Sequence, residues 1–288
     1  MSRVTAILTV YYPGYVNKNN IKKIYEQVDR VIICDNSSQN NRRLFQNLDK
    51  AVYLFWGKNL GLSAAFNKVL MDSVYGWEDD EFVIFFDQDT VIHEKHVERL
   101  VVEYNVLEGE GYNVGCLGAV YRNESNGRIE APRIKRYIND KTMSVKSVIT
   151  SSLLCKYIML KKIKFWNEEI FLDMADWDLC WRLKAENMLC CMTYASIIDH
   201  SVGEGKKKCG LIELRVGKPF REYYQTRDCL YLMKKRYVPI KFKIRFIMML
   251  TIRPMLHLIF LDNKRERMQY IRKGIEDYCA GVRGELLQ

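Results

Sequence analysis

The sequence predicts an α/β fold: a mainly parallel, Rossmann-like sheet flanked by helices, followed by a helical, basic C-terminal region. Three observations carry this reading. Short apolar runs alternate with amphipathic stretches over residues 4–107, the β-α-β rhythm that buries a parallel sheet on both faces. Two of those runs end in acidic residues, at Asp35 and at Asp87-Gln88-Asp89. The net charge of +10 is concentrated, with 19 Lys and Arg against 5 Asp and Glu between positions 206 and 273.

The elements follow in order. Residues 4–11 read as a first strand, 20–27 as a helix, and 31–34 as a second strand ending at Asp35-Asn36-Ser37-Ser38. A short third strand falls at 51–55, and a helix at 62–75 is entered after Gly61 with Ser63 as a cap. Phe82-Val83-Ile84-Phe85-Phe86 is a run of apolar residues bounded by polar punctuation, the pattern of a fully buried strand. A helix at 94–107 follows, then strands at 115–121 and 147–154 separated by a polar loop or hairpin at 123–127. Residues 176–187 read as a helix and 194–198 as a strand. The Gly/Lys segment 203–208 reads as a mobile loop. Residues 220–236 are amphipathic and rich in tyrosine, and 240–261 are apolar but interrupted by Lys241, Lys243, Arg245 and Arg253-Pro254. That interruption argues against a membrane-spanning helix. We divide the chain at 205/206, with a further division of the α/β part near 115/116, and read basic amphipathic helices over 206–288.

Nine cysteines show no C-x-x-C spacing, which argues against structural zinc. No signal peptide is read at the N-terminus, so reduced thiols in the cytoplasm are expected.

Several constellations point to chemistry. In open α/β sheets ligands bind beyond the carboxyl ends of the strands, where Asp87 and Asp89 form a hard-oxygen pair suited to Mg²⁺ or Mn²⁺. The same residues would also serve as an ordinary turn. Asp35 stands at a strand end where it could accept a hydrogen bond from a pyrimidine N3-H or close an Asx turn. Gly61, in Asn59-Leu60-Gly61, lets backbone approach a ligand, and Asn67 falls further into the same helix. Asp173, Asp176 and Asp178 lie among apolar residues, where a carboxylate gains a raised pKa and the capacity to act as a general base. They also suit a helix N-terminus, and Asp178 stands four residues before Arg182. His200 precedes the Gly/Lys segment, and imidazole suits Mn²⁺ as well as a carboxylate partner. No role is read for His93, His96 or His257.

Taken in order, these elements resemble the inverting glycosyltransferases of family 2, which have a GT-A fold. The matching residues are Val10-Tyr11-Tyr12-Pro13, Asp35-Asn36-Ser37-Ser38, Asn59-x-Gly61 with Asn67, Asp87-Gln88-Asp89 and the acidic segment 173–182. The Asp-Gln-Asp form, Phe171-Leu172-Asp173-x-x-Asp176-x-Asp178 and His200-x-x-Gly203 look most like the rhamnosyltransferase branch. The resemblance implies L-rhamnose transfer from dTDP-L-rhamnose onto a lipid-linked or oligosaccharide acceptor in bacterial cell-surface polysaccharide synthesis. It implies Asp176 as catalytic base, and Asp89 with Asp87 and His200 around Mn²⁺ or Mg²⁺. It implies donor contacts from Tyr11, Asp35, Asn59, Gly61, Asn67, Asp87 and Gln88, and acceptor contacts from Asp173, Trp177 and Asp178. Tyr12 departs from the family, where many members have Asn, and Arg227-Asp228 stands where Arg-Asn is expected.

The basic third, with Lys241, Lys243 and Arg245 interleaved among Ile240 to Met249, suits a peripheral position on the inner face of the cell membrane, or packing on the catalytic domain. A UDP-hexose donor is the nearest alternative. A nucleotidyltransferase would need a phosphate loop that residues 10–15 lack. A basic nucleic-acid-binding protein would explain the charge but neither acidic cluster, so no nucleic-acid partner is expected.

Overall fold

The computed structural model describes residues 2–123, 127–132, 135–200, 206–209, 212–215, 217–260 and 263–286. Its first four strands are β1 (Val4–Val10), β2 (Arg30–Asp35), β3 (Ala51–Phe55) and β4 (Phe82–Asp87). Helices α1 (Tyr15–Tyr25) and α2 (Gly61–Leu70) are threaded between them, and α3 (His96–Gly109) follows. All four strands pair in parallel, with β1 between β2 and β4. Alternate residues point to opposite faces of a strand, and both faces are covered here. Ile7, Ile32 and Phe85 enter one core with Phe66 and Trp166, while Leu8, Ile33 and Phe86 enter another with Leu100 and Tyr104. That double burial is why these strands read as unbroken apolar runs. The register sets Val10 opposite Asp35 and Thr9 opposite Asp87, so both acidic ends reach the same sheet edge.

The second half of the sheet is mixed. Strands β5 (Val114–Asn123), β6 (Ile129–Glu130), β7 (Lys135–Tyr137) and β8 (Thr142–Val145) precede β9 (Leu153–Lys156). β9 enters antiparallel between β4 and β5. Helices α4 (Tyr157–Lys162) and α5 (Ala175–Ala185) lead to β10 (Leu189–His200), which runs parallel to β5. The full order is β3-β2-β1-β4-β9-β5-β10-β8-β7, with β6 on β5. The strand expected at 147–154 is thus divided: its first residues turn at Ser152, where φ is 70°, and only the end joins the sheet.

Of the expected polar loop at 123–127, residues 124–126 lie outside the described residues, as do 203–205 of the Gly/Lys segment. Its remainder is not a loop: β11 (Lys206–Cys209) pairs antiparallel with β12 (Ile212–Arg215). Three helices complete the chain, α6 (Arg221–Met233), α7 (Ile240–Phe260) and α8 (Lys264–Cys279). Among the described residues no helix is long and apolar enough to cross a membrane. α7 does not present all its apolar residues outward. Phe246 is buried, and the Phe242 ring lies 4.5 Å from Trp177 and 4.7 Å from Trp181 of α5. Ile244, Met248, Ile252, Met255 and Ile259 are exposed.

Gly61 joins the N-terminal half to the segment before α5. Its φ is +76°, and an added Cβ would stand 2.7 Å from the Phe171 ring and 2.8 Å from the Phe171 carbonyl oxygen. The close approach expected of this glycine is therefore made to Phe171. Gly61→Ala should lower unfolding free energy by about 1–3 kcal/mol, the scale of one strained non-glycine residue, read by urea denaturation; an unchanged midpoint would show that the Phe171 segment yields freely.

Candidate functional site

The carboxyl ends of β1 and β4 open into a cleft of about 550 Å³, a size that accommodates a small-molecule ligand. Tyr11, Asn59, Gly61, Asp87 and Gln88 all line it. Gln88 closes one wall by a two-way clamp on Tyr11. Its Oε1 accepts the Tyr11 N–H at 2.8 Å and its Nε2 donates to the Tyr11 carbonyl at 3.3 Å. Tyr12 has φ of 47°, donates its backbone N–H to Ser37 Oγ at 2.7 Å, and shares a hydrogen bond with Ser38 through its hydroxyl. Asn enters that left-handed region more readily than Tyr, so the two serines support a residue that departs from the family pattern. Asn59 accepts the Gly61 N–H at 2.9 Å, forming the tight entry to α2.

Asp87 accepts a hydrogen bond from Ser151 Oγ at 2.5 Å. Ser151 was not read from the sequence, although a Thr150-Ser151-Ser152 run inside an apolar stretch is the signal that could have found it. Behind it, buried His96 bridges Ser152 and Ser196 at 2.7 Å each. Burial holds the His96 imidazole down to about 3, so it is a neutral packing group there. Asp89 is exposed just beyond the strand end. His200 closes β10, opposite Asn123 of β5; its side chain lies outside the described residues.

Asp176 stands in the first turn of α5. Desolvation pushes its carboxyl up to about 7, and the negative charges of Asp87 and Asp173 add to the shift. Asp173 precedes the helix rather than sharing its face, and is held by Arg221 at 2.7 Å and Gln225 at 2.8 Å, both from α6. Trp177 turns away to pack on Phe242.

Three residues are placed elsewhere than the sequence reading expected. Asp35, expected to read a base, is 0% exposed and accepts from Ser37 N–H, Asn41 Nδ2 and the Tyr53 hydroxyl. It closes the strand as an Asx turn, and its neighbour Asn36 lines the cleft. Asn67, expected at the donor, is buried and spends its amide on Trp166 and Glu168. Asp178, expected on the acceptor side, is 0% exposed and held by Arg182, Asn167 and Tyr237. All three are buried, and none is among the residues that line the cleft.

The C-terminal region supplies what the sequence reading missed. Phe220, Tyr224, Tyr270, Glu285 and Leu286 line the cleft opposite β1, and Tyr224 stacks on Phe171 at 4.6 Å and 13°. The region expected as an appendage is one wall of the site.

Among the described residues, the one close group of three metal-ligand types is Cys116, Cys180 and Cys190. It lies in the core rather than at the sheet edge. Thiol contacts with Cys155 and Cys180, together with burial, hold Cys116 well above the ordinary thiol range, so it packs as a small apolar group. The carboxylates of Asp87 and Asp89 suit a hard divalent ion instead. The negative charge that already raises Asp176 is what such an ion would offset.

With this geometry in view, the profile of glycosyl transferase family 2 matches residues 18–167. The chain belongs to that family. It is 23% identical over 301 residues to the dTDP-rhamnosyl transferase RfbF of Shigella flexneri, covering 98% of this chain and 96% of that protein. The solved structure of S. aureus TarS 1-349 with UDP-GlcNAc superposes with TM-score 0.54 at 13% identity, covering 97% of this chain and 81% of that one. GalNAc-T7, crystallised with UDP, GalNAc and Mn²⁺, superposes with TM-score 0.55 at 9% identity, covering 96% of this chain. The chain spans 58% of the GalNAc-T7 chain. These likenesses show the GT-A fold of a family 2 glycosyltransferase.

The raised carboxyl of Asp176 has a consequence for stability. Its folded pKa of about 7 exceeds the ordinary 3.8, so ionising it costs folding free energy. The stability it contributes is complete below the ordinary value and is lost as pH rises through about 7. Without donor or divalent ion, Asp176→Asn should therefore melt above wild type at alkaline pH, with that advantage shrinking as pH falls to 4–5. Parallel Tm profiles for the two proteins would contradict the raised value.

Proposed function

We propose that this family 2 enzyme is an inverting, metal-dependent rhamnosyltransferase that takes L-rhamnose from dTDP-L-rhamnose and passes it to a lipid-linked glycan at the inner face of the cell membrane. The observation that carries the mechanism is the partly exposed Asp176, poised near neutrality beside Asp87. A carboxylate with pKa near the working pH is an effective general base. Asp176 accepts the proton of the acceptor hydroxyl as that oxygen attacks the anomeric carbon from the face opposite the nucleotide. One displacement inverts the centre, and the nucleoside diphosphate departs.

The cleft itself orients the donor. Tyr11, fixed by Gln88, and the Phe171-Tyr224 stack offer aromatic surface to a nucleoside, with Asn36 and Asn59 as polar contacts at the wall. Asp173, steadied by Arg221 and Gln225, faces the acceptor side. Asp87 and Asp89 would hold Mn²⁺ or Mg²⁺, with His200 as a further ligand. When bound, the ion neutralises charge developing on the departing diphosphate. The rhamnose assignment is supported by the relative from Shigella flexneri; UDP-linked sugars are the second reading, favoured by the UDP and UDP-GlcNAc bound in the two solved structures.

Two measurements test this. Thermal stabilisation by dTDP-rhamnose, UDP-glucose and UDP-GlcNAc, each with and without Mn²⁺ or Mg²⁺, should respond most to dTDP-rhamnose with ion. A response to a UDP-sugar alone would replace rhamnose and keep the chemistry. Asp176→Asn should retain the donor response while nucleotide release in the presence of a bacterial lipid-acceptor fraction falls by about 10²–10⁴-fold. Near-wild-type turnover would remove Asp176 from the role of base.

A further inference from the structure

A second cavity, of about 470 Å³, lies where α7 meets the start of α5. Lys146, Lys241 and Arg245 line it, and Trp177 and Phe242 form its apolar side. No acidic residue is among the lining residues. None of the three cations has a carboxylate partner among the described residues, although nearby basic residues such as Arg182 and Lys235 do. Like charges gathered without a counter-ion repel one another, and a bound anion removes that cost. An arginine fork with two lysines in the same cavity suits the oxygens of a phosphate.

The cavity opens beside an apolar track. Ile244, Met248, Ile252, Met255 and Ile259 are exposed and recur every three or four residues, which puts them on one face of α7. Packing does not require that stripe, because the inward side of the helix is already occupied by Phe242 and Phe246 against Trp177 and Trp181. A cationic pocket at the head of an exposed apolar helix face matches one kind of ligand: an amphiphile with a phosphate head and a long alkyl tail.

We infer that Lys146, Lys241 and Arg245 bind the diphosphate head of a long-chain lipid carrier, whose tail runs along the outer face of α7 into the membrane surface. The inference rests on the reading of Asp176 as the base. Trp177 lines this cavity and follows Asp176 along α5, so a head seated there lies beside the helix turn that carries the base. The site would fix which hydroxyl of a lipid-linked acceptor reaches the base.

Flotation of the full chain with vesicles tests the inference. Three compositions are compared: phosphatidylcholine alone, phosphatidylcholine with a few mole per cent of a polyprenyl diphosphate, and phosphatidylcholine with phosphatidylglycerol at matched surface charge. Wild type should bind the diphosphate vesicles at least about ten-fold more tightly than the phosphatidylglycerol ones, the scale of one charge-assisted contact. Lys241→Gln/Arg245→Gln should erase that preference, and both positions are exposed, so the fold is spared. Lys22→Gln/Lys23→Gln, the same charge loss on exposed positions of α1, should keep it. Equal binding to both anionic vesicles would assign the pocket to bilayer headgroups and overturn the carrier. Undiminished preference in the Lys241/Arg245 variant would overturn the site. Nucleotide-sugar stabilisation, measured on the same proteins, separates the two readings: its absence in wild type with diphosphate binding intact would count against the transferase reading alone.

Discussion

The site depends on a buried ion pair in α6. Arg227 is 0% exposed, donating to Asp228 at 2.9 Å, to the Tyr223 hydroxyl at 3.1 Å and to the Gly284 carbonyl at 2.7 Å. Asp228 uses its other oxygen to accept the Phe171 N–H at 2.9 Å. Tyr223 passes its proton side on to Asp277 of α8 at 2.7 Å. One pair thus joins four segments: α6, α8, the C-terminal tail and the strand of chain that leads to Asp173 and Asp176. Desolvation raises Asp228 to about 6 even with Arg227 opposing the shift. Taking away one member would leave a buried charge alone, a loss of about 3–5 kcal/mol. The departure from Arg-Asn noted in the sequence is therefore a carboxylate that balances a buried guanidinium.

From that pair the site is assembled by short reaches between halves of the chain. Phe171 is pinned by Asp228 on one side and approached by Gly61 on the other. Its ring then stacks on Tyr224. Immediately beyond it, Asp173 takes Arg221 and Gln225 from the same face of α6. The chain reaches Asp176 already held on both sides, so its carboxyl group is directed by the C-terminal helices as much as by its own.

Much of the frame was legible because its signals are local. Parallel strands buried on both faces leave apolar runs, and the runs at 4–11, 31–34, 51–55 and 82–86 each became a strand. The antiparallel entry of β9 was not legible, since an apolar run carries no sign of its direction. Asp87, Gln88, Tyr11, Asn59 and Gly61 meet in one cleft because strand ends in this topology meet at one edge. Asp35, Asn67 and Asp178 did not, for a shared reason. Each is satisfied by residues distant along the chain or hidden by the turn itself, such as Trp166 for Asn67 and Tyr237 for Asp178, and a motif lists residue types without their partners. The basic C-terminal third was visible only as charge. Its tyrosines, which wall the cleft, look in sequence like any amphipathic face.

The dependence of Phe171 and Asp173 on α6 has a consequence for how this scaffold can diversify. One wall of the cleft sits mostly on the ends of the N-terminal strands, and the opposite wall sits on α6, α8 and the C-terminal tail. A recombinant that exchanged those helices between relatives, cutting at the boundary near 205, would carry new versions of Arg221, Gln225 and Asp228 to an old Phe171–Asp173 segment. The two would not mate. The unit of exchange is instead discontinuous: the loop before α5 and the C-terminal helices would have to travel together, although more than forty residues, α5 and β10 among them, separate them in the chain.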